Sequence, residues 1–119
     1  MIIAFTTQGQ TLDSPLDPRF GRAQGFLVYD TDSGETRYAT NEQNMSLAQG
    51  AGIQAAMNLV KTGAKAIVTG HVGPKAFAAL AKGKVDIYLC ELPTVAQALE
   101  AFQQNRLQPA QDADRPGHW

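Results

Sequence analysis

Short apolar runs, separated by polar or glycine-containing segments, mark the first third of the chain. Residues 2–6 are β-branched or aromatic, residues 26–30 are mostly apolar, and residues 35–40 mix charged and apolar side chains as an edge strand does. A turn-forming triplet over residues 32–34 separates the last two runs. The pattern predicts three strands in two antiparallel pairings, with a long connection between the first strand and the second.

The period of the apolar positions becomes helical in the middle of the chain. Ile53, Met57 and Val60 recur at helical spacing, and Gly63 ends that segment. This spacing predicts a first helix, which a strand over residues 65–69 follows.

Two further helices complete the pattern. Residues 74–82 form one, and a strand over residues 85–90 follows it. Thr94 and Gln97 have capping-box spacing, which predicts the start of the last helix. The order β-β-β-α-β-α-β-α predicts an α/β fold, with a five-stranded mixed sheet between helices on both faces. Ligands of such sheets bind beyond the carboxyl ends of the parallel strands.

Length and charge narrow the classes of function. We expect one domain over residues 1–108 and a polar, flexible tail over residues 109–119. The net charge of -1 favours neither a nucleic-acid partner nor a membrane surface. No acidic residue lies between Gln43 and Val85, so this stretch should carry a positive field from its lysines, which are Lys61, Lys65, Lys75, Lys82 and Lys84.

The single cysteine, Cys90, excludes an internal disulfide and a multi-cysteine zinc or iron-sulfur site. The N-terminal segment has no basic region before its apolar residues, so it is interpreted as a first strand and not as a signal peptide. No apolar stretch is long enough to cross a membrane. We therefore expect a soluble cytoplasmic protein in a reducing compartment.

The segment VTGHVGPKAF places candidate chemistry at a strand end. Gly70 and Gly73 allow close backbone approach, and the N–H groups of Val72 and Gly73 precede a helix, whose start favours anions. His71 adds a hydrogen-bond donor or a metal ligand, and Lys75 places a cation in the first turn, where a structural choice is more often acidic. The alternative is a structural turn with two solvated polar side chains.

The loop over residues 12–26 contains Arg19 and Arg22 around Phe20 and Gly21. Two guanidinium groups can donate hydrogen bonds to an anion, and Phe20 can supply an apolar wall beside them. In the alternative interpretation, acidic residues of the loop pair with the arginines and brace it; these are Asp13 and Asp17. We expect bracing to account for one arginine and not for both.

The segment GAGIQA begins the first helix with Gly50 and Gly52 and fits the pattern G-x-G-x-x-A. A polar loop precedes it, and no acidic residue follows at about twenty residues, which argues against a dinucleotide site. We interpret it as a helix start that a ligand or another backbone can approach.

Cys90 is interpreted as a buried, inert thiol, with a role as a soft metal ligand as the alternative. His118 is assigned to an unstructured terminus.

Three segments in the same order, SPLDPRFGRAQGFLVYD, GAGIQAA and TGHVGPKAFAAL, resemble the dinitrogenase iron-molybdenum cofactor biosynthesis family, the NifX-type accessory proteins. The similarity spans residues 2–107 and includes the orange-protein branch of that family in sulfate-reducing bacteria. It implies a ribonuclease-H-like, three-layer fold without nuclease activity. The family's histidine matches His71, and its arginine-containing loop matches Arg19 and Arg22. The histidine- and glycine-rich tail of some members is missing, which weakens the case for metal capture by the tail.

The resemblance implies non-catalytic binding, carriage or assembly of a molybdenum-containing sulfide cluster, with copper or iron as the second metal and with protein partners in delivery. Such a cluster is a polyanion that arginine, lysine, backbone amides and an apolar wall can hold without a cage of thiolates. The alternative is a regulatory or interaction subunit that uses the same cleft for a partner or a small anion. An enzyme is disfavoured, because neither a nucleophile elbow nor a paired-histidine motif occurs.

Overall fold

The computed structural model describes residues 1–41 and 50–112, in which it contains five strands, three helices and one 3₁₀ turn. The strands are β1 (Ile2–Thr7), β2 (Gly25–Asp30), β3 (Thr36–Thr40), β4 (Ala66–Thr69) and β5 (Asp86–Leu89). The helices are α1 (Ala51–Lys61), α2 (Pro74–Lys82) and α3 (Val95–Gln103), and the 3₁₀ turn is Phe20–Arg22. The predicted order of strands and helices is confirmed, and the 3₁₀ turn is an addition to it.

The strands form one mixed sheet in the order β3-β2-β1-β4-β5. β1 pairs antiparallel with β2, and β2 with β3, whereas β1 pairs parallel with β4, and β4 with β5. Ala4 shows the register, since it lies opposite Val28 on β2 and Ile67 on β4. Because β1, β4 and β5 are parallel, their carboxyl ends lie at one end of the sheet, where α2 and α3 also begin.

Helices cover both faces of the sheet, which confirms the predicted three-layer, ribonuclease-H-like fold. On one face, Leu59 of α1 and Leu80 of α2 share a buried cluster with Ile67 of β4. On the other face, Leu99 of α3 shares a second cluster with Phe5 of β1. The two cores lie on opposite sides of the sheet because successive strand side chains point to opposite faces.

The large apolar side chains of α1 do not face the core. Apolar residues at helical spacing ordinarily do, but Ile53, Met57 and Val60 are 40%, 52% and 40% exposed. The buried face consists of Leu59 and three small residues, which are Ala51, Ala55 and Ala56. Small residues are required there because α1 and α2 pack closely: a Cβ atom at Gly52 would lie 3.1 Å from the Cβ of Ala76.

The predicted N-cap of α3 is confirmed. Thr94 caps the helix as its spacing predicts, since its Oγ1 accepts a hydrogen bond from the N–H of Gln97 at 3.2 Å.

After α3, the chain returns to the sheet. The N–H of Ala110 donates to the carbonyl oxygen of Ile87 at 2.6 Å, and Pro109 forms an isolated bridge with β5. Residues 109 and 110, at the start of the predicted tail, therefore pair with the edge strand.

The division between domain and tail after residue 108 stays a prediction, and His118 lies outside the described residues. None of the helices in the described parts of the chain has the length and apolarity needed to cross a membrane.

Candidate functional site

Two buried threonines tie the carboxyl ends of β1 and β4 to the arginine loop. The Oγ1 atoms of Thr6 and Thr69 lie 2.9 Å apart, and Thr6 Oγ1 lies 2.6 Å from the carbonyl oxygen of Asp17. The N–H of Asp17 in turn donates to the carbonyl oxygen of Thr6 at 2.7 Å. These bonds fix the position of the loop relative to the sheet. Sequence reasoning missed both threonines, although matching threonines at the ends of two strands were an available signal.

The arginine loop lies directly against the turn that contains His71. The N–H of Phe20 donates a hydrogen bond to the carbonyl oxygen of His71 at 3.2 Å, and Arg19 forms an isolated parallel bridge with His71. Gly70 permits this approach, because a Cβ atom there would lie 2.7 Å from the Cα of Pro18. The structure therefore brings together two motifs that are distant in the sequence.

Arg19 and Arg22 are both exposed and lie before and at the end of the 3₁₀ turn. The carboxylate of Asp17 accepts a hydrogen bond from the backbone N–H of Arg19 at 3.0 Å. The backbone N–H of Arg22 donates to the carbonyl oxygen of Arg19 at 3.3 Å. Asp17 thus braces the loop, as the alternative interpretation expects, but these bonds use the backbone of the arginines and not their guanidinium groups.

Phe20 does not form the apolar wall that the sequence predicts. Its side chain is completely buried in the core beneath α1 and α2, where its ring centroid lies 5.9 Å from that of Phe26. Gly21 is buried as well. The 3₁₀ turn directs Phe20 inward while both neighbouring arginines stay exposed, so Phe20 anchors the turn instead of lining a cleft.

The start of α2 lies beside this turn and has no acidic residue in its first turn. Gly73 is the N-cap and has no side chain to cap the helix, and Pro74 at the first position of α2 has no N–H group. The next N–H groups of a helix have no intrahelical partner. Val72 is buried, His71 is half-buried and Lys75 is exposed. The segment therefore presents an imidazole and an ammonium group next to a helix start, which favours negative charge.

The start of α1 completes the arrangement. Gly50 is its N-cap, and Gly52 lies in its first turn, where it makes the close contact with Ala76 of α2. α1 also packs against the Phe20–Arg22 turn. All three segments that the sequence singled out therefore meet at the carboxyl end of the sheet.

A chain of side-chain amides holds α1 in this position, and sequence reasoning missed it. Asn41 is buried, and its Nδ2 donates to the carbonyl oxygen of Ala23 at 2.8 Å. Asn58 of α1 donates through Nδ2 to Asn41 Oδ1 at 2.7 Å. An asparagine within a helix has low helix propensity, so Asn58 offered a weak signal of a tertiary role.

Cys90 lies in the other core, beneath α3. It is 5% exposed, and its Sγ accepts a hydrogen bond from the N–H of Leu92 at 3.4 Å. Its sulfur therefore sits on the opposite side of the sheet from the core that contains Phe20. This burial agrees with the interpretation of Cys90 as a structural thiol.

The charges near the arginine loop are mainly positive. Arg19, Arg22 and Lys75 are exposed, and the first turns of α1 and α2 contain no acidic residue. Asp17 is an acid within the loop. Burial first, and then the charge of Asp17, raises the pKa of Tyr38. Within the described ranges, no group of three or more histidine, cysteine or acidic side chains is placed to hold a metal ion. The arrangement suits an anion better than a bare cation.

A cavity of about 250 Å³ lies beside the loop and is lined by Gln8, Pro15, Leu16, Asp17 and Pro18. Its charged lining group is a carboxylate, and neither arginine lines it. An anion is therefore better placed at the exposed surface between the arginine loop and α2 than in this cavity.

Comparison with known proteins identifies the family. Residues 1–105 match the family described as dinitrogenase iron-molybdenum cofactor. The structure is similar to the apo form of the orange protein from Desulfovibrio gigas, with 41% identity, a TM-score of 0.91 and 96% of each chain covered. It is also similar to a Thermotoga protein provisionally named a NifB protein, with 29% identity, a TM-score of 0.79 and coverage of 96% and 97%.

A protein of uncharacterised function from Methanocaldococcus jannaschii is 24% identical over 95 residues, which are 78% of this chain and 80% of the relative. The resemblance seen in three short segments is thus confirmed by a match over most of the chain and by structures that share its fold. The chain belongs to the dinitrogenase iron-molybdenum cofactor family.

Proposed function

We propose that this protein binds and carries a molybdenum-containing sulfide cluster as cargo and does not catalyse a reaction. The observation that carries the proposal is the contact of the arginine loop with the His71 turn, through the hydrogen bond of 3.2 Å from Phe20. That contact places two exposed arginines beside a helix start with an exposed lysine. Membership of the family and the similarity to the orange protein support a metal-sulfide cluster as the ligand.

The proposed roles follow from the charge of the cargo. A metal-sulfide cluster is a compact polyanion, and a hydrogen bond to a charged group contributes about 1.5–3 kcal/mol. Arg19 and Arg22 would donate such bonds to the sulfides, and Lys75 would add charge. The backbone N–H groups at the start of α2, around Val72 and Gly73, would give the contact direction. Gly50 and Gly52 would let the start of α1 approach the cargo.

His71 has two proposed roles that differ chemically. Its half-buried imidazole either donates a hydrogen bond to a sulfide or binds an exposed metal of the cluster. In either role the bond between His71 and the cargo is reversible, so the cargo can leave intact. That property fits carriage, because a carrier must release what it binds.

The experiment is an anaerobic absorbance titration with tetrathiomolybdate, a small molybdenum sulfide anion. Arg19→Gln together with Arg22→Gln should weaken binding by at least tenfold, since the loss of one charge-assisted bond already corresponds to about that factor. Arg106→Gln is the matched control, because Arg106 is exposed after α3, which packs on the other face of the sheet. Equal affinity of the double variant and the wild type would remove the arginine loop from the site.

Elemental analysis of the purified protein would identify the second metal of the cargo. The orange-protein branch implies copper, whereas the family as a whole implies iron. Elemental analysis of protein purified anaerobically from its host should find molybdenum with one of the two. A colourless protein without molybdenum would instead favour the alternative, a regulatory subunit that uses the same surface for a small anion.

A further inference from the structure

A stripe of exposed apolar side chains on α1 has no part in the core or in the proposed cargo site. Ile53, Met57 and Val60 are 40–52% exposed. Their spacing of four and three residues places them on one face of the helix. Five large apolar side chains are exposed in residues 1–41 and 50–112, and three of them belong to this stripe. Such clustering, unlike scattered exposed apolar residues, indicates an interaction surface.

The stripe runs along the side of α1 that adjoins α2, and we call the exposed surface of the two helices along this contact the α1–α2 surface. At its C-terminal end, a Cβ atom at Gly83 would lie 2.7 Å from Cγ2 of Val60. At its other end, Gly52 of α1 contacts Ala76 of α2. These contacts bring the two helices close together, and the stripe lies beside the contact, exposed to solvent.

The charged residues of α1 and α2 are all lysines. Lys61 is in the last turn of α1 and Lys82 in the last turn of α2, and both are exposed. The sequences of α1 and α2 contain no acidic residue. Two copies of the chain that met through this surface would find no carboxylate on α1 or α2 of the other copy to pair with these lysines, and in a parallel arrangement the lysines would repel one another.

We infer that the α1–α2 surface docks an acidic amphipathic segment of a partner protein, which places apolar side chains against Met57 and its neighbours and carboxylates against Lys61 and Lys82. An amphipathic helix that lays its apolar face on an apolar surface is a common form of such a segment. Helices that lie on a membrane surface are rich in lysine and arginine on their polar face, whereas α1 contains one basic residue, Lys61, which favours a protein partner. The inference does not depend on cluster binding.

The probe is a fluorescent synthetic peptide of about 15 residues, near the length at which an isolated helix becomes stable in water. It carries leucine at spacings of three and four and glutamate at the other positions. A second peptide carries lysine in place of glutamate. Fluorescence anisotropy at low salt should show binding of the acidic peptide alone, and its affinity should fall as salt is raised.

Matched variants locate the binding. Met57→Ser should weaken it about fivefold, as expected when a half-exposed methionine loses its apolar contact, whereas Leu92→Ser, at another exposed apolar residue, should not. Lys82→Glu should weaken binding of the acidic peptide about threefold to fivefold. Arg106→Glu makes the same change in net charge on the α3 side and should leave the affinity unchanged. Since lysines in a last turn also stabilise the helix, the thermal midpoint of each variant is measured.

Three outcomes would overturn the inference. The first is equal binding of the basic peptide, and the second is equal affinity of Met57→Ser and Leu92→Ser. The third is evidence for a different occupant. In that case the acidic peptide does not bind, and the protein instead forms a dimer in sedimentation or binds anionic phosphatidylglycerol vesicles, and Met57→Ser abolishes the dimer or the vesicle binding.

Discussion

Substitution of Gly70 by alanine tests whether the contact between the arginine loop and the His71 turn builds the site. The added methyl group would lie 2.7 Å from both the Cα and the carbonyl oxygen of Pro18, which are backbone atoms that no side-chain rotation can move. Ordinary carbon contacts begin near 3.5 Å, so the loop must retreat by about 1 Å. That retreat separates Phe20 from His71, and it moves both arginines.

The cost can be worked from these contacts. Overpacking of this kind costs about 1–3 kcal/mol, and the loss of the bond between Phe20 and His71 adds about 1 kcal/mol. The sum of about 2–4 kcal/mol is a large part of the 5–15 kcal/mol by which domains are usually stable. Hydrogen bonds to cargo that lengthen by about 1 Å pass beyond bonding distance, so affinity should fall by at least tenfold.

The assay combines urea unfolding, followed by circular dichroism, with the tetrathiomolybdate titration under conditions where the variant is folded. Gly63→Ala is the matched control. Gly63 has a φ of +83° and nothing within 4 Å of an added Cβ, so alanine there costs about 1–2 kcal/mol through backbone strain alone. It follows α1, at the other end of the sheet, and should keep wild-type affinity. If Gly70→Ala binds tetrathiomolybdate as tightly as Gly63→Ala does, the reasoning about the loop contact is refuted.

Three further predictions concern single side chains. His71→Asn should retain most tetrathiomolybdate affinity and His71→Ala should lose it if His71 donates a hydrogen bond, whereas both should lose it if His71 binds a metal; wild-type affinity in both variants would make His71 a surface residue without a role in binding. Cys90 should resist alkylation in the folded protein, and Cys90→Ser should cost about 1–3 kcal/mol in urea unfolding by burying a hydroxyl group, with no loss of cargo absorbance. Rapid labelling of Cys90 that cargo blocks would instead make it a ligand. Because burial, followed by the charge of Asp17, raises the pKa of Tyr38, the folded state holds that proton more tightly than the unfolded chain does. The resulting stability is present below the ordinary pKa of about 10 and is lost as pH rises through the folded-state value. The free energy of unfolding of Tyr38→Phe should therefore decline less than that of the wild type above that pH, and parallel declines would contradict this assignment.

Local patterns were sufficient for the order of the elements. The β-branched runs of β1 and β4, the glycines that end the helices and the capping box at Thr94 each act within a few residues of the chain. Their physical effects, which are backbone preference and the capping of orphan N–H groups, need no distant partner. The two arginines, the helix-start glycines and Lys75 likewise predict an anion as the ligand from local chemistry, and that stays a prediction.

The sequence pattern did not predict which face of α1 is buried. Hydrophobicity alone would turn Ile53, Met57 and Val60 toward the sheet, yet the closeness of α1 and α2 requires alanine and glycine at their contact. How near two helices pack depends on the sheet beneath both of them. No periodicity within one helix contains that information.

The geometry of the candidate site likewise came from the tertiary structure. The sequence by itself determined that a cationic loop and a glycine-rich helix start exist; the fold decided that they touch, because β1 and β4 are neighbours and Thr6 meets Thr69 where the two strands end. The fold also turned Phe20 into the core and joined Asn58 to Asn41. These contacts link residues far apart in the chain, and their stability depends on strand pairing and shared burial, which form only when the whole domain folds.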